Sequence, residues 1–150
     1  MGRLHERSIS AASLVEAVSG PGRGGVAVFL GTVRDHHAGR QVVALEYSAY
    51  LPMAEAVLER LIVEAKTRWP VEVVIEHRLG RLAIGDIAVG VAVGGGHRTE
   101  AFEACRFLIE ELKARVPIWK RERYADGSEA WVDPTAALAV QPAVAEGSAR

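Results

Sequence analysis

Pro117 constrains this chain more than any other residue. It follows a run, Glu100 to Val116, whose apolar residues recur with the period of a helix. Ala101, Cys105, Leu108, Ile109, Leu112 and Val116 fall on one stripe. Proline lacks the amide proton that a helix interior needs, and its ring clashes with the preceding turn, so the helix stops here. The segment Ile118 to Tyr124 then reads as a strand. Asp126-Gly127 is a turn signal, and Ala130-Trp131-Val132 returns. Lys113 and Lys120 therefore stand on either side of a helix stop. They cannot share a helical face, but they converge on one pocket if the chain turns at Pro117.

The preceding chain supplies the pocket's other walls. His5 to Ile9 reads as a short strand. Ser10 caps a helix through Val18, which Gly20-Pro21-Gly22 ends. Gly25 to Arg34 is a nearly continuous apolar run with β-branched residues, the pattern of a buried strand. A polar loop, Asp35 to Arg40, leads into a second strand, Gln41 to Ala49, and the pair predicts a hairpin. Pro52 opens a helix to Trp69, with Ala54, Val57, Leu58, Leu61, Ile62 and Ala65 on one face. Val71 to Ile75 and Ile87 to Val93 are further strands, separated by a turn at Gly85-Asp86. Strands and helices mixed in this way predict one domain over 1–134. Residues 135–150, rich in Ala with Gly, Ser and Pro, are expected to form a mobile tail.

Charge and cysteine content exclude several function classes. With 18 basic and 19 acidic residues the net charge is −1, which argues against a general nucleic-acid binder. A single cysteine, Cys105, allows no internal disulfide and no cysteine metal cluster. It lies within the apolar stripe and is expected to pack as a small hydrophobe. The N-terminus opens no apolar signal region, and no apolar run approaches the roughly 20 residues that span a bilayer. A cytoplasmic protein without a membrane role is the expectation.

Among the charged residues, Gly94-Gly95-Gly96-His97-Arg98-Thr99 joins a strand to a helix, with Thr99 as the expected N-cap. Backbone amides, the helix dipole and two cationic donors there suit an anion. Glu100 and Glu103 satisfy the same dipole without a ligand. Lys113 falls on the flank of the helix stripe, where its amine either reaches water or enters a cleft. His36-His37 has no third ligand at metal spacing and is read as loop polarity, and His77-Arg78 as a solvated strand end. Phe107 falls on the opposite face of the helix, where it hints at a second contact surface.

Eight stretches in order extend the reading. They are Phe29-Leu30-Gly31-Thr32-Val33-Arg34, Leu45-Glu46-Tyr47, Pro52-Met53-Ala54-Glu55, His77-Arg78-Leu79-Gly80, Ile84-Gly85-Asp86, His97-Arg98, Ala101-Phe102-Glu103-Ala104 and Pro117-Ile118-Trp119-Lys120-Arg121-Glu122. Together, over about Gly25 to Val132, they resemble the large, catalytic subunit of molybdopterin synthase, the MoaE family. The resemblance implies an α+β, α/β-hammerhead-like fold with an antiparallel sheet and packed helices. It implies sulfur transfer to cyclic pyranopterin monophosphate, forming the dithiolene of molybdopterin. The sulfur donor would be the C-terminal Gly-Gly thiocarboxylate of a small ubiquitin-like carrier subunit. Large subunits would dimerise within a heterotetramer, with neither metal nor cofactor. The matching positions make Lys113 and Lys120 the expected catalytic residues. Thr32, Val33, Arg34, His97, Arg98, Lys113, Lys120, Arg121 and Glu122 are the expected substrate-binding set. A binding module that captures a phosphorylated ligand, and a scaffold that only docks a partner, are the competing readings.

Overall fold

The computed structural model describes residues 2–132, and within them the apolar periodicities become the following elements. In chain order they are β1 (Gly2–His5), α1 (Ala11–Val18), β2 (Gly25–Thr32), β3 (His36–His37), β4 (Arg40–Ala49) and α2 (Leu51–Arg68). There follow β5 (Val71–Arg78), β6 (Gly80–Ala83), β7 (Ile87–Gly95), α3 (Arg98–Arg115), β8 (Ile118–Tyr124) and β9 (Glu129–Val132). The expected mobile tail lies outside the described residues.

One sheet has the order β1-β5-β7-β2, antiparallel except for the parallel β1–β5 pair. β7 is buried along nearly its whole length because both of its faces are covered. Val89, Val91 and Val93 join the main core, which includes Leu58 and Leu61 of α2 and Leu108 and Leu112 of α3. Gly90, Ala92 and Gly94 alternate with them, toward α1, whose Leu14 and Val18 are fully buried there. A Cβ at Gly94 would overlap the Val18 carbonyl oxygen, and one at Gly90 would overlap Leu14 Cδ1. The missing side chains let α1 lie directly on the strand. Ser10 caps α1 as predicted, accepting from the Ser13 amide at 3.2 Å.

The second sheet has the order β3-β4-β8-β9, with β6 also on β4. In its β4–β8 ladder Tyr47 faces Lys120 and Leu45 faces Glu122. The α+β class and the antiparallel sheet with packed helices are as expected.

Several expectations need correction, among them the buried strand from Gly25, because β2 lies at the sheet edge with Val26, Val28 and Phe29 exposed. The predicted hairpin between the second and third apolar runs does not form. β2 pairs with β7, while β4 belongs to the other sheet and turns back only on β3, through Ala38 and Gly39 at φ 51° and 78°. Periodicity identifies both strands, but pairing depends on which face each one buries. The first strand is Gly2–His5, not His5 to Ile9, because Ile9 is drawn into the small core beneath α1. Phe107, read as a hint of a second contact surface, is partly buried and packs within the chain. It meets the Trp69 ring edge-on, centroids 5.5 Å apart, with the Arg68 guanidinium 4.7 Å above it.

A further correction is His77. β5 continues to Arg78, so His77 lies in the core at 2% exposure and not at a solvated strand end. Its ring meets Tyr47 edge-on at 4.9 Å, and its Nδ1 donates to the Arg78 carbonyl at 3.0 Å. Burial pulls its pKa down to about 4, helped by the charge of Lys113 and opposed by the Arg78 hydrogen bond.

Two outcomes test this packing. Gly94→Ala forces α1 off its backbone contact and is expected to cost about 1–3 kcal/mol in denaturant unfolding. Gly22→Ala, with nothing within 4 Å of the added Cβ, is expected to stay within about 0.5 kcal/mol of wild type. For His77 the unfolded chain takes up a proton near pH 6.5 and the folded chain only near pH 4. Its stabilising effect is therefore complete above pH 6.5 and is lost as pH falls toward 4. Wild type is expected to lose about 3 kcal/mol more than His77→Gln across that window, measured as unfolding free energy at each pH.

Candidate active site

The turn at Pro117 takes two residues, Val116 and Pro117. The Ile118 amide donates to the Val116 carbonyl at 2.9 Å, closing a three-residue turn around the proline. α3 ends at Arg115 and β8 begins at Ile118, so Lys113 in the last turn of the helix and Lys120 on the strand come together. Lys113 lines a small cavity with Tyr47, His77, Leu112, Val116 and Ile118. Lys120 stands opposite Tyr47 across the β4–β8 ladder. The two amines are near enough for the charge of Lys120 to act on Lys113, but Lys120 is not among the residues that line this cavity. Burial, and then the charge of Lys120, lower the pKa of Lys113 from that of an ordinary lysine. No arginine is among the causes.

Glu122 is buried at 2% exposure, on the same face of β8 as Lys120. Its Oε1 accepts from His37 Nδ1 at 2.7 Å and from the Tyr124 hydroxyl at 3.0 Å. Its Oε2 is 3.4 Å from Lys120 Nζ. Burial pushes its pKa up, and this is the largest single effect. The His37, Lys120 and Tyr124 contacts nevertheless hold it below the usual glutamate value. An ionised carboxylate only accepts, so His37 carries its proton on Nδ1. Burial, and then the same charge, raise Tyr47 to about 12, so its phenol stays protonated.

Strand alternation separates Arg121 from this group. Its side chain lies on the other face of the sheet, where it donates to Glu46 at 2.7 Å and sits over the Trp131 ring at 5.4 Å. Arg81, Glu46, Arg121 and Trp131 form one cross-strand row through β6, β4, β8 and β9. Trp119 shares that outward face and is partly exposed. The expected union of Arg121 with Lys120 in one anion site does not occur within the chain.

Thr32 and Arg34 are exposed at the end of β2, with Val33 buried between them. The Val33 amide donates to the Asp86 carbonyl at 3.0 Å, which fixes the turn. Three residues on, His37 reaches Glu122, so Arg34 lies on the segment that leads to the Glu122 carboxylate. Among the described residues no ion pair engages it.

His97 and Arg98 lie elsewhere. The helix N-cap is His97 and not the expected Thr99, and its amide donates to Glu100 Oε1 at 2.6 Å. Gly94 and Gly95 are part of β7 and not of a loop; their lack of side chains serves contacts with Val18 and Glu100. His97 is 90% exposed in its side chain, and Arg98 is also exposed. From Arg98 to Lys113 the helix rises by about 22 Å, so the pair does not reach Lys113 of its own chain.

The sequence reading missed His37, Tyr47, His77 and Tyr124 as neighbours of the lysines. Only Tyr47 and His77 lay in motifs already singled out, and no spacing distinguished His37 from a polar loop residue. Cys105 is buried and its pKa is raised by burial, in keeping with a packing role. The arrangement offers an anionic ligand two converging ammonium groups. One of them gives up its proton more readily than a free lysine does, and so suits proton transfer or nucleophilic attack.

Known proteins resemble this chain over most of its length. The model of the MoaE protein family matches residues 4–115. The molybdopterin synthase catalytic subunit 1 of Mycobacterium tuberculosis is 45% identical over 131 residues, 87% of this chain and 88% of that protein. The crystal structure of molybdopterin synthase from Staphylococcus aureus superimposes with a TM-score of 0.81 at 38% identity, covering 86% of this chain and 94% of that one. A complex of subunits 1 and 2 of molybdopterin-converting factor from Helicobacter pylori has the same fold, with a TM-score of 0.71 at 22% identity, over 87% and 89% of the two chains. With a family model spanning most of its length and a relative matched nearly end to end, the chain belongs to the MoaE protein family.

Proposed function

We propose that this chain is the catalytic subunit of a molybdopterin synthase. It moves sulfur from the thiocarboxylated C-terminus of a small ubiquitin-like subunit to cyclic pyranopterin monophosphate and so builds the dithiolene of molybdopterin. The observation that carries this reading is the half-buried Lys113, its pKa lowered by burial and by Lys120, at the turn that brings the two amines together. The related Helicobacter pylori protein, solved as a complex of two subunits, supports a small partner. Among the described residues no helix is long and apolar enough to cross a membrane, and the reading places the reaction in the cytoplasm.

The chemistry asks little of this chain by way of a nucleophile. Sulfur arrives as a thiocarboxylate, already a good attacking group. What remains is to hold an anionic substrate, stabilise charge and move protons as the phosphate ester opens and oxygen leaves. Lys113 is the proton-transfer or amine-nucleophile group. Lys120, anchored on Glu122, binds the substrate or the thiocarboxylate, and Arg34 adds a permanent cation nearby. His97 and Arg98 stand about 22 Å along α3 from Lys113, so in this reading they complete the site of a second copy in a homodimer. Arg121, paired with Glu46 on the far face, supports the strand and is not part of the substrate pocket.

A phosphate-binding module without chemistry would use Arg34 equally well. It gives no reason for burying a lysine beside another lysine, and that observation favours the enzyme.

Two experiments test the reading. Lys113→Ala, mixed with thiocarboxylated small subunit and substrate, is expected to keep its fold and lose at least about 100-fold in dithiolene formation; near wild-type turnover would sink the assignment. For the shared site, Lys113→Ala chains are mixed with His97→Ala/Arg98→Ala chains at equal amounts. If the pair serves the other copy, half the dimers carry one intact site of two, and about a quarter of wild-type activity returns. If each chain serves itself, none does.

A further inference from the structure

Of the charged groups around the lysine pair, His37 has no role in the reading above, yet it makes the shortest contact to the buried carboxylate. The Glu122 carboxylate is held on three sides. Tyr124 and Lys120 come from its own strand, β8, and His37 comes from β3. β3 is only two residues long and is paired to β4 through His36↔Gln41 and His37↔Arg40. The Arg40 guanidinium covers the Tyr124 ring at 3.6 Å and binds Asp126 at 3.2 Å, so the hairpin is clamped to the end of β8. His36, the neighbour, turns the other way, to Asp35 at 2.9 Å, and takes no part. Among the described residues His37 is thus the one donor to Glu122 from outside β8.

We infer that His37 is a positioning residue for Lys120: by holding Glu122 Oε1 it turns Oε2 toward the ammonium and sets where that ammonium stands. The geometry has a division of labour that a surface ion pair lacks. Oε1 takes the 2.7 Å and 3.0 Å bonds from His37 and Tyr124. That saturates it and leaves Oε2 alone to face Lys120 at 3.4 Å. This contact is long for a hydrogen bond, and the ammonium keeps donors free for an anionic ligand. Without the imidazole only Tyr124 holds Oε1, and the carboxylate is less restrained about its terminal torsion, which is soft and roughly two-fold. Lys120 then follows it. A buried carboxylate short of one donor also draws its remaining cation closer, away from the cavity. The polypeptide thereby ties the loop after Arg34 to the lysine beyond Pro117, so the two sides of the site are registered by one hydrogen bond.

The inference rests on the reading of Lys120 as a ligand-binding group, and the experiment separates the two. Steady-state synthesis is measured with the complete complex, thiocarboxylated small subunit and cyclic pyranopterin monophosphate. His37→Leu is expected to lower kcat/KM by about tenfold or more, with most of the loss in KM. His37→Asn, whose amide nitrogen occupies the place of Nδ1, is expected to recover most of it. In a Lys120→Ala background, His37→Leu is expected to cost nothing further, because the group it acts through is gone. Should His37→Leu not fold, His37→Ala carries the same expectations. A His37 variant at wild-type kcat/KM beside an impaired Lys120→Ala overturns this proposal alone. So does a loss from His37→Leu that is fully retained in the Lys120→Ala background, or no recovery by His37→Asn. Lys120→Ala at wild-type activity overturns the ligand role of Lys120 and this proposal with it.

Discussion

The structure depends on the two-residue joint at Val116-Pro117. α3 packs on the first sheet, against β7, and β8 is the inner strand of the second sheet, against β4. Nothing separates them but the turn that the Ile118 amide closes onto the Val116 carbonyl. Leu112, Val116 and Ile118 are all buried around it, so the seam between the two sheets is dry on its inner side. Lys113 and Lys120 emerge at that seam because one ends a helix and the other begins a strand. Proline suits the joint twice over, since it stops the helix and is preset near the backbone angle the turn requires.

From that joint the electrostatics follow by alternation along β8. Inward positions carry Ile118, Lys120, Glu122 and Tyr124; outward positions carry Trp119, Arg121 and Arg123. A strand that read as one cationic stretch is therefore two surfaces. The inner one holds a buried carboxylate between three donors, next to a lysine that burial makes easier to deprotonate. The outer one is a solvent-side row in which Glu46 and Glu129 share Arg121. Neutral His77 and protonated Tyr47 line the inner wall without adding charge. Glu122 is then the carboxylate that an incoming anion meets beside Lys120.

Much of this was legible beforehand. Helix and strand periods are local, and they placed α1, α2, α3 and β8 to within a residue or two. The Pro117 break and the two lysines marked the site. His77 and His37 were illegible for one reason. A histidine in an apolar or polar run looks the same whether its ring meets water or a partner from another strand, Tyr47 for His77 and Glu122 for His37. Gly94 and Gly95 misled in the opposite sense, because a glycine run suggests a ligand loop when the neighbour it admits is helix α1 or the side chain of Glu100.

What the sequence determined by itself is what depends on near neighbours: which segments are helix or strand, where the chain must break, and which residue types converge near residue 117. Which strand pairs with which, which side of β8 each charge occupies, and whether His97 and Arg98 reach the lysine of their own chain were decided only in the tertiary structure. Those outcomes depend on which faces are buried together and on the length of a rigid helix, and neither is a property of any short stretch of sequence.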